Sequence, residues 1–246
     1  MSSQAVRDSV LVIGASGRTG LYVLRYLSAA SVPTLACVRR AERLAAGRFG
    51  AGVEVAVADL EQPYALRPLF ERAAHVIYVA GSDRKSLSPG AWQLEVECLS
   101  SCLELARDVG LPGRWLYVGY SGEQRGAANW AEARWRELKL AAEDAVASSG
   151  LNYVILRTGR VGEPVADEPR VFVTQQGAPR ADATLPCNVL AFLLTGAVLS
   201  GATHRARFTA GLEPAGSRLQ AAVQAFGRLQ ADAAGLQTAD ASLSNV

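Results

Sequence analysis

The chain of 246 residues has few side chains that bind metals or form disulfides. It contains four cysteines and two histidines, and no cysteines are arranged as a CxxC pair. The cysteines are Cys37, Cys98, Cys102 and Cys187. Cys98 and Cys102 lie four residues apart on a predicted helix, so a thiol pair is one interpretation and buried free cysteines are the other. We expect no metal site and no disulfide.

The chain also has little excess of one charge over the other. The 25 basic and 23 acidic side chains leave a net charge of +2, too little for nucleic-acid or membrane binding to follow from composition. The sequence lacks a signal-peptide pattern and a run of about 18 apolar residues. We therefore expect a cytoplasmic monomer or homodimer whose partner is a small-molecule substrate, with no nucleic acid and no membrane involved.

What the chain does contain is an alternation of short apolar runs and longer stretches with helical spacing, which is typical of βαβ units and a parallel sheet. Strands are predicted at Ser9–Ile13, Thr34–Val38, Val53–Val57, His75–Val79, Trp115–Val118 and Tyr153–Leu156. Helices are predicted at about 18–30, 41–47, 63–73, 90–109 and 130–149. In the helix at 90–109, apolar residues three and four positions apart form one face.

After residue 157 the pattern becomes less regular. We expect a helix at about 186–200, a short strand near Arg207–Ala210, a helix at about 216–232 and a mobile tail at 235–246. The prediction is one domain over residues 1–246 with a core at about 8–212. Its fold class is α/β, a doubly wound and mostly parallel Rossmann sheet with a small C-terminal region on the substrate side.

A glycine-rich turn follows the first predicted strand and opens the first predicted helix. It runs through Gly14, Ser16, Gly17, Arg18, Thr19 and Gly20. Glycines allow a sharp turn and let backbone N–H groups approach a pyrophosphate, while the helix N-terminus favours negative charge. The sequence context predicts a dinucleotide site, and a tight turn without a ligand is the alternative.

The end of the second strand indicates which dinucleotide. A site selective for NAD(H) usually has an acidic residue here for the ribose hydroxyls, but this chain has Arg39 and Arg40. Guanidinium groups favour a 2′-phosphate, and Arg18 could reach the same phosphate from the glycine turn. We therefore predict NADP(H) as the cofactor. The alternative is that Arg39 and Arg40 only begin a solvated helix.

With the glycine turn and the two arginines, the segments Lys139–Glu143 (KLAAE) and Ser149–Arg157 (SGLNYVILR) complete a pattern. In these features the chain resembles the atypical short-chain dehydrogenase/reductases, within them the NAD(P)H-binding, NmrA-like group that includes biliverdin-IXβ/flavin reductases. The resemblance covers about residues 8–212. That group contains reductases, redox sensors and assembly factors, so the resemblance is more specific for nucleotide binding than for a reaction.

The resemblance implies further cofactor contacts at the ends of strands. Asp59 and Leu60 would border the adenine, and Ala80 and Gly81 would pass beside the ribose and phosphates. These positions agree with ligand binding at the carboxyl ends of parallel strands. For Asp59 the alternative is a helix cap before Glu61.

On the nicotinamide side, the resemblance implies that Lys139 contacts the ribose and that Thr158 and Val161 lie near the ring. Thr158 stands where the family commonly has proline. For Lys139 the alternative is a surface ion pair with Glu143, four residues along the same helix.

Two usual catalytic groups of the family are absent. Trp135 occupies the position of the tyrosine four residues before the lysine, and Gly119 occupies that of the serine ending the fifth strand. An indole N–H cannot act as an acid near neutral pH. We therefore expect catalysis from Lys139 with Tyr120 and Ser121. For Tyr120 and Ser121 the alternative is that they are ordinary loop residues.

The leading hypothesis is an NADPH-dependent oxidoreductase that reduces a small, aromatic or conjugated substrate. Trp130 and Trp135 would form an aromatic wall over that substrate, or else pack the helix. The alternatives are a non-catalytic NADP(H)-binding sensor or scaffold, favoured by the missing tyrosine and serine, and a cyclase or isomerase without net redox.

Overall fold

A computed structural model describes residues 7–44, 49–50, 52–81, 90–121, 130–175, 184–200 and 205–228. Its strands are β1 (Ser9–Ile13), β2 (Thr34–Val38), β3 (Val53–Val57), β4 (Ala73–Tyr78), β5 (Arg114–Tyr120), β6 (Asn152–Thr158), β7 (Arg160–Gly162), β8 (Val171–Thr174), β9 (Thr184–Pro186) and β10 (Ala206–Leu212). Its α-helices are α1 (Arg18–Ala29), α2 (Arg67–Arg72), α3 (Cys98–Asp108), α4 (Trp130–Ser148), α5 (Cys187–Leu199) and α6 (Leu219–Gln224).

The predicted α/β class is confirmed. Eight strands form one sheet in the order β3-β2-β1-β4-β5-β6-β10-β8, in which all neighbours pair parallel except the antiparallel pair of β10 and the edge strand β8. The short strands β7 and β9 pair with each other in a separate parallel sheet. The strand order runs outwards in both directions from β1 and β4, so the chain reverses its direction of winding between these two strands.

Helices cover both faces of the sheet. Successive residues of each buried strand point to opposite sides, so each strand contributes side chains to both faces. Val10 and Val12 of β1 pack in a core with α1, α5 and α6, whereas Leu11 and Ile13 pack in a second core with α2, α3 and α4. All five residues of β1 are buried, as an apolar run in a parallel sheet predicts. α1, α5 and α6 therefore cover one face of the sheet, and α2, α3 and α4 cover the other.

The predicted bounds of β1, β2 and β3 are confirmed, and β4 begins at Ala73, two residues earlier than predicted. The helix predicted at 41–47 is wrong in its described part, which is one 3₁₀ turn, Ala41–Arg43; the rest lies outside the described residues. The helix predicted at 63–73 is in fact a 3₁₀ turn, Pro63–Leu66, followed by the short helix α2. Of the helix predicted at 216–232, α6 and a 3₁₀ turn extend to Arg228, and the predicted tail lies outside the described residues.

Three strands were not predicted, namely β7, β8 and β9. They have only three or four residues each, too few for an alternating pattern to be recognised. The helix predicted at 90–109 also differs in detail, because a π-helical turn, Gln93–Glu97, precedes α3. Such turns are rare in proteins, but those that occur are often found at functional sites.

The four cysteines have the surroundings of core residues. All four cysteines are buried and free, which agrees with the interpretation as small apolar side chains. Within the described ranges, no helix has both the length and the apolar character needed to cross a membrane.

His75 on β4 makes the stability of this fold depend on pH. Its Nδ1 accepts a hydrogen bond from the Arg114 N–H at 3.0 Å, so the ring is bound in its neutral form. Burial, together with the charge of Arg114, lowers the pKa of His75 from its usual 6.5. The folded state therefore binds fewer protons than the unfolded state just below that pH, and stability is lost as the pH falls.

We expect the free energy of unfolding to decline as the pH falls from about 6.5 towards the lower pKa of folded His75. His75→Asn keeps an acceptor near the Nδ1 position but cannot be protonated, so its decline should be smaller. Urea denaturation of both proteins at several pH values measures this difference. Parallel curves for the two proteins would show that His75 does not carry the effect.

Candidate functional site

The candidate site lies at the carboxyl ends of β1 and β4, where the direction of winding reverses. In open α/β sheets, ligands bind in the crevice outside the strands at such a point. The glycine turn connects β1 to α1 at this crevice, and residues 79–81 leave β4 beside it. Val79 N–H donates to Ile13 O at 2.9 Å, so the two segments are joined by backbone hydrogen bonding up to the crevice.

The glycine turn is packed backbone to backbone. Gly14 has φ +87°, and a Cβ atom there would lie 2.5 Å from the backbone nitrogen of Ala80. At Gly20 a Cβ atom would lie 2.3 Å from the carbonyl oxygen of Gly14. Neither position accommodates a side chain, because the obstructing atoms belong to the backbone. Close packing of β4 and α1 on the turn therefore requires these two glycines.

Gly17 differs from the other two glycines. It is exposed, and a Cβ atom there would approach only the Gly14 carbonyl oxygen, at 3.2 Å. Gly17 is the N-cap of α1, and no side chain of the described residues caps this helix end. The first N–H groups of α1, beginning with that of Arg18, have no acceptor within the helix, and its first turn contains no acidic residue. This helix end therefore fits a phosphate group.

The other predicted residues of the turn lie at the same helix end. Ser16 and Thr19 are half-buried, whereas Arg18 is exposed. Arg18 Nη1 forms an ion pair with Glu163 Oε1 at 2.8 Å, which joins the beginning of α1 to the segment after β7. A phosphate contact of Arg18 would therefore compete with Glu163. The two side chains are 57% and 79% exposed, so the pair contributes little to stability, and Arg18 can leave Glu163 for a phosphate.

At the end of β2, Arg39 and Arg40 are both exposed, and neither forms an ion pair with any residue that the structure describes. Arg40 has an extended backbone and precedes a single 3₁₀ turn rather than an α-helix. The alternative, that the two arginines only begin a solvated helix, corresponds in the described residues to this one exposed 3₁₀ turn and not to an α-helix. Both guanidinium groups are accessible to an anion beside the crevice.

The residues predicted around the adenine and ribose lie at neighbouring strand ends. Asp59 Oδ1 accepts a hydrogen bond from the Glu61 N–H at 3.1 Å, so the carboxylate caps its own turn. Leu60 and Ala80 are half-buried, and Gly81 is exposed. The cap does not use the second oxygen of Asp59 in the described structure, and its contact with adenine stays a prediction.

Lys139 is the most constrained of the predicted site residues. Its Nζ lies 2.7 Å from Oε2 of Glu95, a fully buried carboxylate on the π-helical turn. The proposed surface pair between Lys139 and Glu143 is wrong, because Glu143 is itself buried and binds other partners. Lys139 Nζ also lies 5.0 Å from the ring centroid of Trp135, whose side chain is buried on α4. Trp135 therefore packs on the lysine.

Glu143 explains the glycine in the serine position. Its carboxylate accepts hydrogen bonds from Arg157 Nε at 2.9 and 3.0 Å and from Arg157 Nη2, and Arg207 Nη1 lies 3.4 Å away. A Cβ atom on Gly119 would lie 2.6 Å from Oε2 of Glu143. A buried ion pair therefore occupies the volume that a serine side chain would need.

The predicted catalytic and nicotinamide-side residues cluster where β5 and β6 end. Ser121 N–H donates to Thr158 O at 3.1 Å, and Tyr120 lies opposite Thr158 in the sheet. The hydroxyl groups of Ser121 and Thr158 are buried and have no hydrogen-bond partner within the described part of the chain. Tyr120 and Val161 are half-buried. The structure brings these residues to one strand edge, and their roles stay predictions.

Sequence analysis did not identify Glu95 or Glu163 as site residues. Their partners are 44 and 145 positions away, so no local spacing connects them. For Glu95 one signal was available, namely an acidic residue within the apolar spacing of a helix. The exposed Glu163 offered none.

A family model described as NAD(P)H-binding matches residues 14–198, and the chain belongs to this family. The match includes the glycine turn, the two arginines after β2 and Lys139. A nicotinamide dinucleotide is therefore the cofactor that the family supports. No curated protein sequence matches the chain.

Solved structures share the fold at low sequence identity. A Bacillus halodurans protein assigned as an NAD-dependent epimerase/dehydratase has a TM-score of 0.74 and 22% identity over 88% of this chain and 99% of that chain. The oxidoreductase YlbE from Lactococcus lactis has a TM-score of 0.75 and 15% identity over 88% and 95%. A Veillonella parvula short-chain dehydrogenase/reductase in complex with NADP has a TM-score of 0.68 and 16% identity over 85% and 96%.

Gly17 and Gly20 of the turn should respond differently to substitution. Gly17→Val should keep the fold but abolish cofactor binding, because its side chain projects where a phosphate would approach α1. Gly20→Ala should lower the free energy of unfolding by about 1–3 kcal/mol, because the added Cβ atom would clash with backbone atoms of Gly14 and Ala15. Circular dichroism, urea denaturation and calorimetry with NADPH measure both effects. Unchanged NADPH binding by folded Gly17→Val would place the phosphate elsewhere.

Proposed function

We propose that the protein is an NADP(H)-dependent oxidoreductase that reduces a small, aromatic or conjugated substrate. The observation that carries the choice of cofactor is the pair Arg39 and Arg40 at the end of β2. Both side chains are exposed beside the crevice, and no acidic residue occupies this strand end. An acidic side chain would repel a 2′-phosphate, whereas a guanidinium binds it through two parallel hydrogen bonds.

Different residues bind different parts of the cofactor along the crevice. The N-terminus of α1 holds the diphosphate, Arg39 and Arg40 hold the 2′-phosphate, and Lys139 donates hydrogen bonds to the ribose on the nicotinamide side. A nicotinamide cofactor supplies hydride transfer when bound. The protein then has to orient the substrate and supply one proton.

Tyr120 and Ser121 are the groups proposed to manage that proton. The Ser121 hydroxyl is buried and forms no hydrogen bond within the described part of the chain, so its bonding capacity is unsatisfied there. Trp135 is excluded as a donor by its chemistry and contacts Lys139 instead. Trp130 begins α4 and is 77% exposed, so its indole is available to stack on a planar substrate.

The second candidate is an NADP(H)-binding sensor or scaffold without turnover. It is favoured by the residues that occupy the two usual catalytic positions. Trp135 packs on Lys139, and the carboxylate of Glu143 fills the space beside Gly119. Turnover separates the candidates, because an oxidoreductase consumes NADPH with a suitable acceptor, whereas a sensor binds NADPH and leaves its absorbance unchanged.

The cofactor preference follows from the arginine pair. The unmodified protein should bind NADPH more tightly than NADH, and the double variant Arg39→Ala, Arg40→Ala should lose about ten- to a hundred-fold in NADPH affinity with little change for NADH. The control variant Arg67→Ala, Arg107→Ala removes the same charge from exposed positions on α2 and α3. It should change neither the NADPH affinity nor the NADH affinity. Calorimetry at fixed salt measures all six affinities, those of NADPH and NADH for each of the three proteins. Equal binding of both dinucleotides by the unmodified protein would contradict the proposal.

A further inference from the structure

Glu95 is a charged residue in a place where charge is costly. Its side chain has no exposed surface, and its ion pair with Lys139 joins the π-helical turn to α4. Burying a carboxylate costs several kcal/mol unless well-placed partners compensate, and Lys139 is one such partner. The π-helical turn is itself an unusual backbone that brings this carboxylate towards α4. Both costs indicate a role beyond packing.

Aromatic rings complete the surroundings of the lysine. Lys139 Nζ lies 5.0 Å from the ring centroid of Trp135 and 5.7 Å from that of Tyr117, which projects from β5. An ammonium group near the face of an aromatic ring is stabilised by the ring electrons. Glu95, Trp135 and Tyr117 thus restrict the ammonium group from three elements, and its side chain is only 14% exposed.

The ion pair lies directly behind the wall of the crevice. A Cβ atom on Gly81 would lie 2.7 Å from Oε1 of Glu95, so the carboxylate packs on the backbone just after β4. The preceding residue, Ala80, contacts the glycine turn at Gly14. One oxygen of Glu95 therefore faces the crevice wall, and the other binds Lys139.

We propose that Glu95 is the positioning residue of this site, holding the Lys139 ammonium group where it donates hydrogen bonds to the ribose on the nicotinamide side. The inference rests on the proposed function, because it assigns the lysine to a bound cofactor. An ammonium group has three N–H donors, and the contact with Oε2 of Glu95 leaves others for a ligand. Glu95 does not touch the cofactor and acts through Lys139.

The same pair keeps the lysine charged. Burial lowers the pKa of Lys139, but the charge interactions with Tyr117 and Glu95 outweigh burial, and the net shift is upward. Among the residues that the structure describes, the other nearby acid is Glu143 on α4, which is bound to Arg157 and Arg207. Without Glu95 the effect of burial is less opposed, so the pKa of Lys139 falls and its positive charge is lost at a lower pH.

The chain has only two lysines, Lys85 and Lys139, so the ammonium group can be observed directly. With ¹³Cε-labelled lysine and the variant Lys85→Arg, one NMR signal reports on Lys139. In otherwise unmodified protein this signal should titrate above the usual value of 10.5. Glu95→Gln should lower the midpoint, whereas the control Glu97→Gln, an exposed residue on the same turn, should leave it unchanged.

Cofactor binding supplies the second readout. NADP⁺ should shift the Lys139 signal, and Glu95→Gln should weaken NADPH binding about ten- to a hundred-fold, with a further loss as the pH rises into the alkaline range. A merely structural role would weaken binding equally at every pH. Unchanged affinity, or a loss independent of pH, would overturn the proposal.

Two further results keep the outcome definite. If circular dichroism shows that Glu95→Gln is unfolded, Glu95→Asp keeps the charge but shortens the side chain, and it should displace the Lys139 signal and weaken NADPH binding. An unchanged signal and affinity in that variant would contradict the proposal. If the unmodified protein binds no NADP(H), the proposed function fails, and the Lys139 midpoint still shows whether Glu95 holds the ammonium group.

Discussion

Backbone contact between the first turn and the end of β4 is the constraint on which the site depends. Gly14 meets the Ala80 backbone, and Gly20 meets the Gly14 carbonyl, so α1 begins directly against the sheet. This packing points the first N–H groups of α1 into the crevice where the strand order reverses. The same contact fixes residues 80–81, whose other side meets Glu95. The glycine turn and the Glu95–Lys139 pair thus share one wall.

Two buried carboxylates form ion pairs behind the strand ends, Glu95 beside Gly81 and Glu143 beside Gly119. Glu95 binds Lys139, and Glu143 binds Arg157 and Arg207. Each buried carboxylate is compensated by its partners, and removal of one partner would leave a buried charge. The chain therefore keeps the Lys139 ammonium group on a buried carboxylate, with Trp135 four residues before it on α4.

Much of the fold could be predicted from the sequence, because apolar runs and glycines act locally. The bounds of β1, β2 and β3 and the position of the glycine turn are examples. The strands β7, β8 and β9 could not be predicted, since they are short and paired with distant segments. The Lys139–Glu95 pair was missed for the same reason, because 44 residues separate its members and only the folded sheet brings them together.

The central claim is that a dinucleotide lies along the crevice from Arg39 and Arg40 to Lys139, with its diphosphate at the N-terminus of α1. A crystal structure of the protein with NADP⁺ bound tests this claim most directly. The account predicts diphosphate oxygens within hydrogen-bond distance of the first N–H groups of α1, the 2′-phosphate on Arg39 or Arg40, and a ribose hydroxyl within about 3 Å of Lys139 Nζ. A diphosphate bound away from the glycine turn would contradict it.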